Sequence, residues 1–160
     1  MKSGKPVYYW DTCIFLSLLT NDRKDASLIE GIEGIARAID KKECLLVTST
    51  ITEVEVLQGT LSAVAEGNFQ SALKRRNVTK VSVNSRVTAL AREIRDFYNS
   101  QRKLKTPDAI HLATAILYSV DELHTNDPHL LNLVNPICNK YTIKICRPPL
   151  PRQAALQFSP

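Results

Sequence analysis

Four acidic residues stand where carboxylate chemistry could be done: Asp11, Glu55, Asp108 and Asp127. Asp11 ends the apolar stretch Val7-Tyr8-Tyr9-Trp10, and Glu55 falls in the first turn of a helix opening at Ile51 or Thr52. Asp108 follows Pro107 at a helix start, and Asp127 precedes Pro128. Carboxylates gathered within a few ångströms repel by roughly 4 kcal/mol per close pair at an effective dielectric near 20, so such a group needs a cation. An oxygen-only donor set suits a hard divalent ion, Mg2+ or Mn2+, and the matching chemistry is phosphodiester hydrolysis by an activated water. Each residue also has a local explanation. Thr52 and Glu55 fit a capping box, Asp127 and Asp11 fit N-caps, and Asp108 sits where the helix dipole favours negative charge. Spacing alone does not choose between these readings and a shared site.

The elements that must position these residues alternate along the chain. Val7–Trp10 reads as a strand, and Thr12–Leu19 has apolar residues at helical spacing. Ala26–Lys42 is an amphipathic helix, Cys44–Val47 a second buried strand, and Leu61–Arg76 a further helical stretch after Gly59. Valines at 78, 81 and 83 mark a third strand, followed by a helix over Ser85–Ser100 and another over Asp108–Ser119. Glu122–Thr125 and Thr142–Cys146 give the fourth and fifth strands, with a helical turn starting at Asp127-Pro128. Strands separated by helices predict a three-layer α/β/α fold around a central parallel sheet of about five strands. In such a sheet the ligand crevice lies beyond the carboxyl ends of the strands, which suits Asp11, Glu55 and Asp127. Asp108 opens the helix leading into the fourth strand, which by a simple strand-end rule sets it at the opposite end unless the preceding loop crosses back over the sheet.

A chain of 160 residues with 44% hydrophobic residues has the size and core content of one domain, spanning 1–160. Residues 148–160, rich in Pro and Gln, read as a loose tail or a docking segment. The apolar runs fall well short of the roughly 20 residues of a membrane span, and the N-terminus is a poor signal peptide, so the expected location is the cytoplasm. Cysteines at 13, 44, 138 and 146 show neither C-x-x-C spacing nor a paired histidine, so free thiols in a reducing compartment are expected rather than a zinc site. The net charge is +5 and the pI about 9.1. Basic residues gather at Lys74-Arg75-Arg76, at Arg102, Lys103 and Lys105, and at Lys140, Lys144, Arg147 and Arg152. They suit a polyanionic partner or simply solvated helix ends and loops.

Four segments, in order, resemble the PIN-domain family: Asp11-Thr12 after a short apolar strand; Ser49-Thr-Ile-Thr52-Glu-Val-Glu55-Val-Leu-Gln-Gly59; Thr106-Pro-Asp108-Ala-Ile-His-Leu-Ala-Thr-Ala115; and Thr125-Asn-Asp127. Together they span most of residues 7 to 146, and the third is the most distinctive. Glu53 and Glu55 compete for the second acidic position. In the family a glycine follows the site glutamate by four residues, which Gly59 does for Glu55 alone, and Glu53 would lie about 200° around the helix. Many relatives carry Asn two positions after the first Asp, where this chain has Cys13.

The resemblance implies a Mg2+- or Mn2+-dependent endoribonuclease acting on single-stranded or structured RNA, similar to VapC-type toxins of toxin–antitoxin pairs. It implies Asp11 and Asp108 as metal ligands, Glu55 as the group that orients or deprotonates water or binds a second metal, and Asp127 as support through water. Thr125 is expected to hydrogen-bond to the acidic cluster, and His111, one turn beyond Asp108, to be structural rather than a ligand. Arg75, Arg76, Arg102, Lys103 and Lys105 are the candidates for drawing in the RNA backbone. A small antitoxin protein and a homodimer are the implied partners. The competing readings are a housekeeping RNA-processing nuclease of the same fold and a non-catalytic module that binds RNA or protein. A nucleotide-binding or receiver domain is set aside, since the chain has no Gly-rich phosphate loop and its acidic residues are too dispersed.

Overall fold

A computed structural model describes residues 4–20, 23–100 and 103–151. Strands β1 (Val7–Trp10), β2 (Leu45–Ser49), β3 (Val78–Val81), β4 (Glu122–His124) and β5 (Lys144–Cys146) form one all-parallel sheet in the order β3-β2-β1-β4-β5. The helices are α1 (Thr12–Thr20), α2 (Ala26–Asp40), α3 (Ile51–Val56), α4 (Ala63–Leu73), α5 (Ser85–Tyr98), α6 (Thr106–Leu117) and α7 (Pro128–Leu131). Among the described residues no helix is long and apolar enough to cross a membrane.

The expected three-layer arrangement forms because successive residues of a strand face opposite sides. In β1 Tyr9 joins Val47 and Leu123 in a core closed by α5 and α6, while Trp10 joins Leu46 in a core closed by α1, α2 and α4. A central strand buried on both faces has no polar alternation, which explains the unbroken run Val7-Tyr8-Tyr9-Trp10.

The strand order places the site. From β1 the chain moves outward through β2 to β3, then returns to lay β4 on the other flank of β1. The reversal point lies between β1 and β4, where an open parallel sheet parts to form a crevice at its carboxyl edge. Asp11 follows β1 directly, and Thr125 and Asp127 follow β4. Asp108 belongs to the same edge, contrary to the simple strand-end rule. A helix leading into a parallel strand runs against it, so its first turn lies at the carboxyl edge. At the other end of α6 the chain reaches Asp121, whose amide bonds the Val7 carbonyl at 2.7 Å and whose carboxylate accepts the Val7 amide at 2.8 Å, at the amino edge of β1.

Two further features bear on the sequence expectations. Residues 148–151, the start of the segment read as a loose tail or a docking segment, pack across α2. Arg147 pairs with Asp25 at 2.5 Å, Asp25 caps α2 by accepting the Leu28 amide, and Pro148 is buried. A Cβ on Gly31 would collide with the Pro148 carbonyl oxygen, and one on Gly34 would lie 2.8 Å from Pro151 Cγ. Second, Lys41, Lys42, Lys74, Arg75 and Arg76 sit in the turns that precede β2 and β3, at the amino edge.

The register of β4 and β5 sets His124 opposite Cys146, with Glu122 beside both. This His/Cys/Glu group was invisible to motif spacing, because its members meet only across the sheet. It is not arranged as a metal site. Trp10 Nε1 donates to His124 Nδ1 at 3.2 Å, so the neutral ring carries its proton on Nε2, where it donates to Glu122 Oε2 at 2.9 Å and has no lone pair to offer. Lys144 Nζ holds the other Glu122 oxygen at 2.6 Å. The cluster ties Trp10 to the β4–β5 edge.

Two expectations follow. Gly31→Val must displace the 147–151 segment and should lower stability by about 1–3 kcal/mol despite the better helix propensity of valine, read from urea unfolding. Burial first of all depresses the His124 pKa below 6.5, with the Glu122 contacts opposing. The folded state then binds fewer protons than the unfolded one, so this contribution to stability is complete above pH 6.5 and is lost as the pH falls through the folded value. The urea midpoint should therefore drop below pH 6.5 in the wild type and drop less steeply in His124→Gln.

Candidate active site

Asp11 is 4% exposed, and its carboxylate is held by three donors. Oδ2 accepts from Thr125 Oγ1 at 2.5 Å; Oδ1 accepts from Cys13 Sγ at 2.8 Å and from the Ile14 amide at 3.3 Å. Asp11 therefore caps α1 and faces the crevice at once. Burial pushes its carboxyl above the ordinary range, while the His111 ring and the donors from Cys13 and Thr125 pull it back. Cys13, where relatives carry Asn, replaces an amide with a thiol: Sγ donates to Asp11 and accepts the Asn126 amide at 3.1 Å. Burial and then the Asp11 charge push this thiol far up, so it stays protonated.

Thr125 links two of the carboxylate segments. Its hydroxyl donates to Asp11 and accepts the Asp127 amide at 3.0 Å, while Asp127 Oδ1 caps α7 through the His129 amide at 2.8 Å. Asp108 is half-buried at the first turn of α6, and its Oδ2 is a buried oxygen with no hydrogen-bond partner. Burial raises the Asp108 carboxyl first, then the Asp127 charge and, more weakly, Asp11, with the His111 ring and Lys105 opposing. A buried carboxylate oxygen without a donor, next to two other carboxylates, is costly unless a cation completes it. The donors are all oxygens, so the group fits a hard divalent cation, which Asp11 and Asp108 could hold.

Glu55 enters from α3. The capping box with Thr52 does not form: Thr52 Oγ1 meets Thr48 Oγ1 at 2.9 Å, and Glu55 Oε2 accepts from Thr12 Oγ1 at 2.5 Å and from His111 Nε2 at 2.9 Å. Burial pushes the Glu55 carboxyl up, but the His111 and Thr12 bonds together outweigh it and hold the group below its ordinary value. Glu53, the competing register, turns instead to Lys80 Nζ at 2.8 Å.

The basic candidates separate. Lys105 is the residue before α6, and Lys103 lines a surface hollow with Pro128, His129 and Asn132 beside Asp127. Arg75 forms an ion pair with Asp40, and Arg75 and Arg76 lie at the amino edge of the sheet, not with the carboxylates. They were grouped with the others because local charge runs say nothing about which edge they occupy. Arg102 lies outside the described residues.

Tyr9, Thr12 and Cys13 were missed as parts of the site. Thr12 had a signal in its place beside Asp11, and Cys13 in its departure from the usual Asn. Tyr9 had none, since a buried strand tyrosine looks like core until its hydroxyl partner is seen.

Among curated proteins none matches the chain. Several solved structures share its fold. A chain of VapBC2 from Rickettsia felis, solved bound to a DNA fragment from its promoter, is 17% identical with a TM-score of 0.58, over 76% of this chain and 87% of that one. A chain of a toxin–antitoxin complex from Klebsiella pneumoniae is 26% identical with a TM-score of 0.55, over 75% and 86%. VapC20 from Mycobacterium tuberculosis, a toxin that cleaves the sarcin-ricin loop, is 15% identical with a TM-score of 0.59, over 75% and 89%. The sequence profile of the PIN domain matches residues 8–134, a span that holds all four carboxylates and most of the sheet, so the chain belongs to the PIN domain family.

Proposed function

We propose that this chain is a single-domain, divalent-metal-dependent endoribonuclease, the toxin of a toxin–antitoxin pair, acting in the cytoplasm. The observation that carries the reading is the buried, unpartnered Oδ2 of Asp108, set within electrostatic reach of Asp127 and Asp11 at the reversal point of a PIN-domain sheet. Likeness to a toxin–antitoxin complex at 26% identity supports the toxin role and a small antitoxin protein as partner; a homodimer rests on the family resemblance alone.

Asp11 and Asp108 hold Mg2+ or Mn2+. Such an ion, when bound, supplies Lewis acidity and neutralises charge that builds on the phosphate. The chain's own residues do the rest. Both donors to Glu55 fall on Oε2, so Oε1 is the oxygen left to orient water and take its proton. Thr125 fixes the Asp11 carboxylate, and Asp127 supports the site through water. An acidic crevice repels RNA, so Lys103 and Lys105 on its rim draw the backbone in. Single-stranded segments suit it best because they bend into a narrow site.

The deciding experiment incubates purified protein with a mixed RNA pool in Mg2+, Mn2+ or chelator and maps the cuts. Cleavage that needs the metal and disappears in Asp11→Asn is the expected result. Full cleavage by a folded Asp11→Asn or Asp108→Asn protein overturns the assignment, and absence of divalent-ion binding points instead to a non-catalytic module. Because the raised Asp108 pKa means that ionisation at neutral pH subtracts from stability, Asp108→Asn should cut nothing yet melt at a higher temperature than wild type in chelator. Lys103→Ala with Lys105→Ala should weaken RNA binding and flatten the slope of log K against log salt by about 1.4, two single-strand phosphate contacts, whereas Arg75→Ala should leave that slope unchanged.

A further inference from the structure

Helix α6 brings two residues to the site. Asp108 opens it, and His111 follows three residues later on the same side of the helix, 2% exposed. Both ring nitrogens of His111 are engaged: Nδ1 lies 2.7 Å from the Tyr9 hydroxyl, and Nε2 lies 2.9 Å from Glu55 Oε2 and 3.4 Å from Thr12 Oγ1. We propose that His111 is a positioning residue that, braced by Tyr9, clamps the Glu55 carboxylate in its working orientation. This deepens the nuclease reading and rests on it.

The need for a clamp is physical. Glu55 stands on α3, a helix of six residues that ends in the exposed turn at Leu57, Gln58 and Gly59. A glutamate side chain on so short an element has rotamer freedom to lose. Thr12 and His111 restrict that freedom, and both act on Oε2, so the direction of Oε1 is set by where they stand.

Glu55 and Tyr9 together select the tautomer. The carboxylate can only accept, so it takes the proton on Nε2, and the buried Tyr9 hydroxyl, 2.7 Å from Nδ1, has an O–H to give to the other nitrogen. With Nδ1 accepting, the ring proton resides on Nε2 and is donated to Glu55. The opposite tautomer would set a lone pair against the carboxylate. A histidine that merely filled the core would need neither a carboxylate partner nor a particular tautomer.

Two measurements test this. In metal-free protein a long-range 1H–15N spectrum of the imidazole rings should show His111 protonated on Nε2, with that preference weakened in Tyr9→Phe; an Nδ1–H ring in the wild type overturns the clamp. In cleavage assays His111→Leu should lower kcat about 10- to 100-fold with KM changed by less than about threefold, the scale of a misplaced reacting group. His111→Gln, which keeps a donor near the Nε2 position, should restore most of the rate. Added to Glu55→Gln, His111→Leu should cost less than about twofold more, because a residue that acts through Glu55 has nothing left to act on. Independent, multiplicative losses would make His111 structural and overturn the proposal. If the wild type cuts no RNA, the nuclease reading fails by itself, and the tautomer still decides whether the clamp exists.

Discussion

Everything at the carboxyl edge is arranged around one electrostatic conflict: carboxylates that repel each other are held together in a half-dry crevice. The fold resists that repulsion by giving each group a different anchor. Asp11 is fixed by Thr125, Cys13 and the start of α1; Asp127 by its cap on α7; Glu55 by Thr12 and His111. Asp108 alone has an oxygen that the protein leaves buried and unanswered. The cost of burial is concentrated at one atom, and it lowers stability for as long as that oxygen lacks a partner.

Helix α6 carries much of this arrangement. Its hydrophobic side, Ala109, Leu112, Ala113 and Ala115, is buried in the core beneath the sheet, so its first turn cannot drift. Asp108 and His111 are placed by the same packing. A mutation that loosened the small-residue contacts of α6 would move the Asp108 carboxylate and the His111 bond to Glu55 together. Rigid elements hold functional groups better than loops do, and here one element serves two strands' worth of site.

The fold was largely legible because periodicity is local: strands and helices fall within a few residues of their expected bounds, and alternation forces helices onto both faces. The grouping of the four carboxylates was not contained in any local pattern and came from the family resemblance. What escaped was long-range. Tyr9, His111 and Glu55 are drawn from β1, α6 and α3, and Glu122, His124 and Cys146 meet only through strand register. The edge of Asp108 stayed open, because a rule about strand ends ignores which way the helix leading into β4 runs. Arg75 and Arg76 were assigned by charge alone, when the edge on which they sit decides what they can touch.

That separation of charge gives the molecule a polarity along its strands. The turns at the amino edge hold Lys41, Lys42, Lys74, Arg75 and Arg76, while the carboxyl edge holds the acidic crevice. The domain thus has an electric dipole as well as a net charge, and a field acts on both. Near an anionic support such as a cation-exchange resin the torque turns the amino edge down and leaves the crevice facing solvent. A chain adsorbed in that pose would keep its site open to small diffusing ions even while its basic end is fully neutralised.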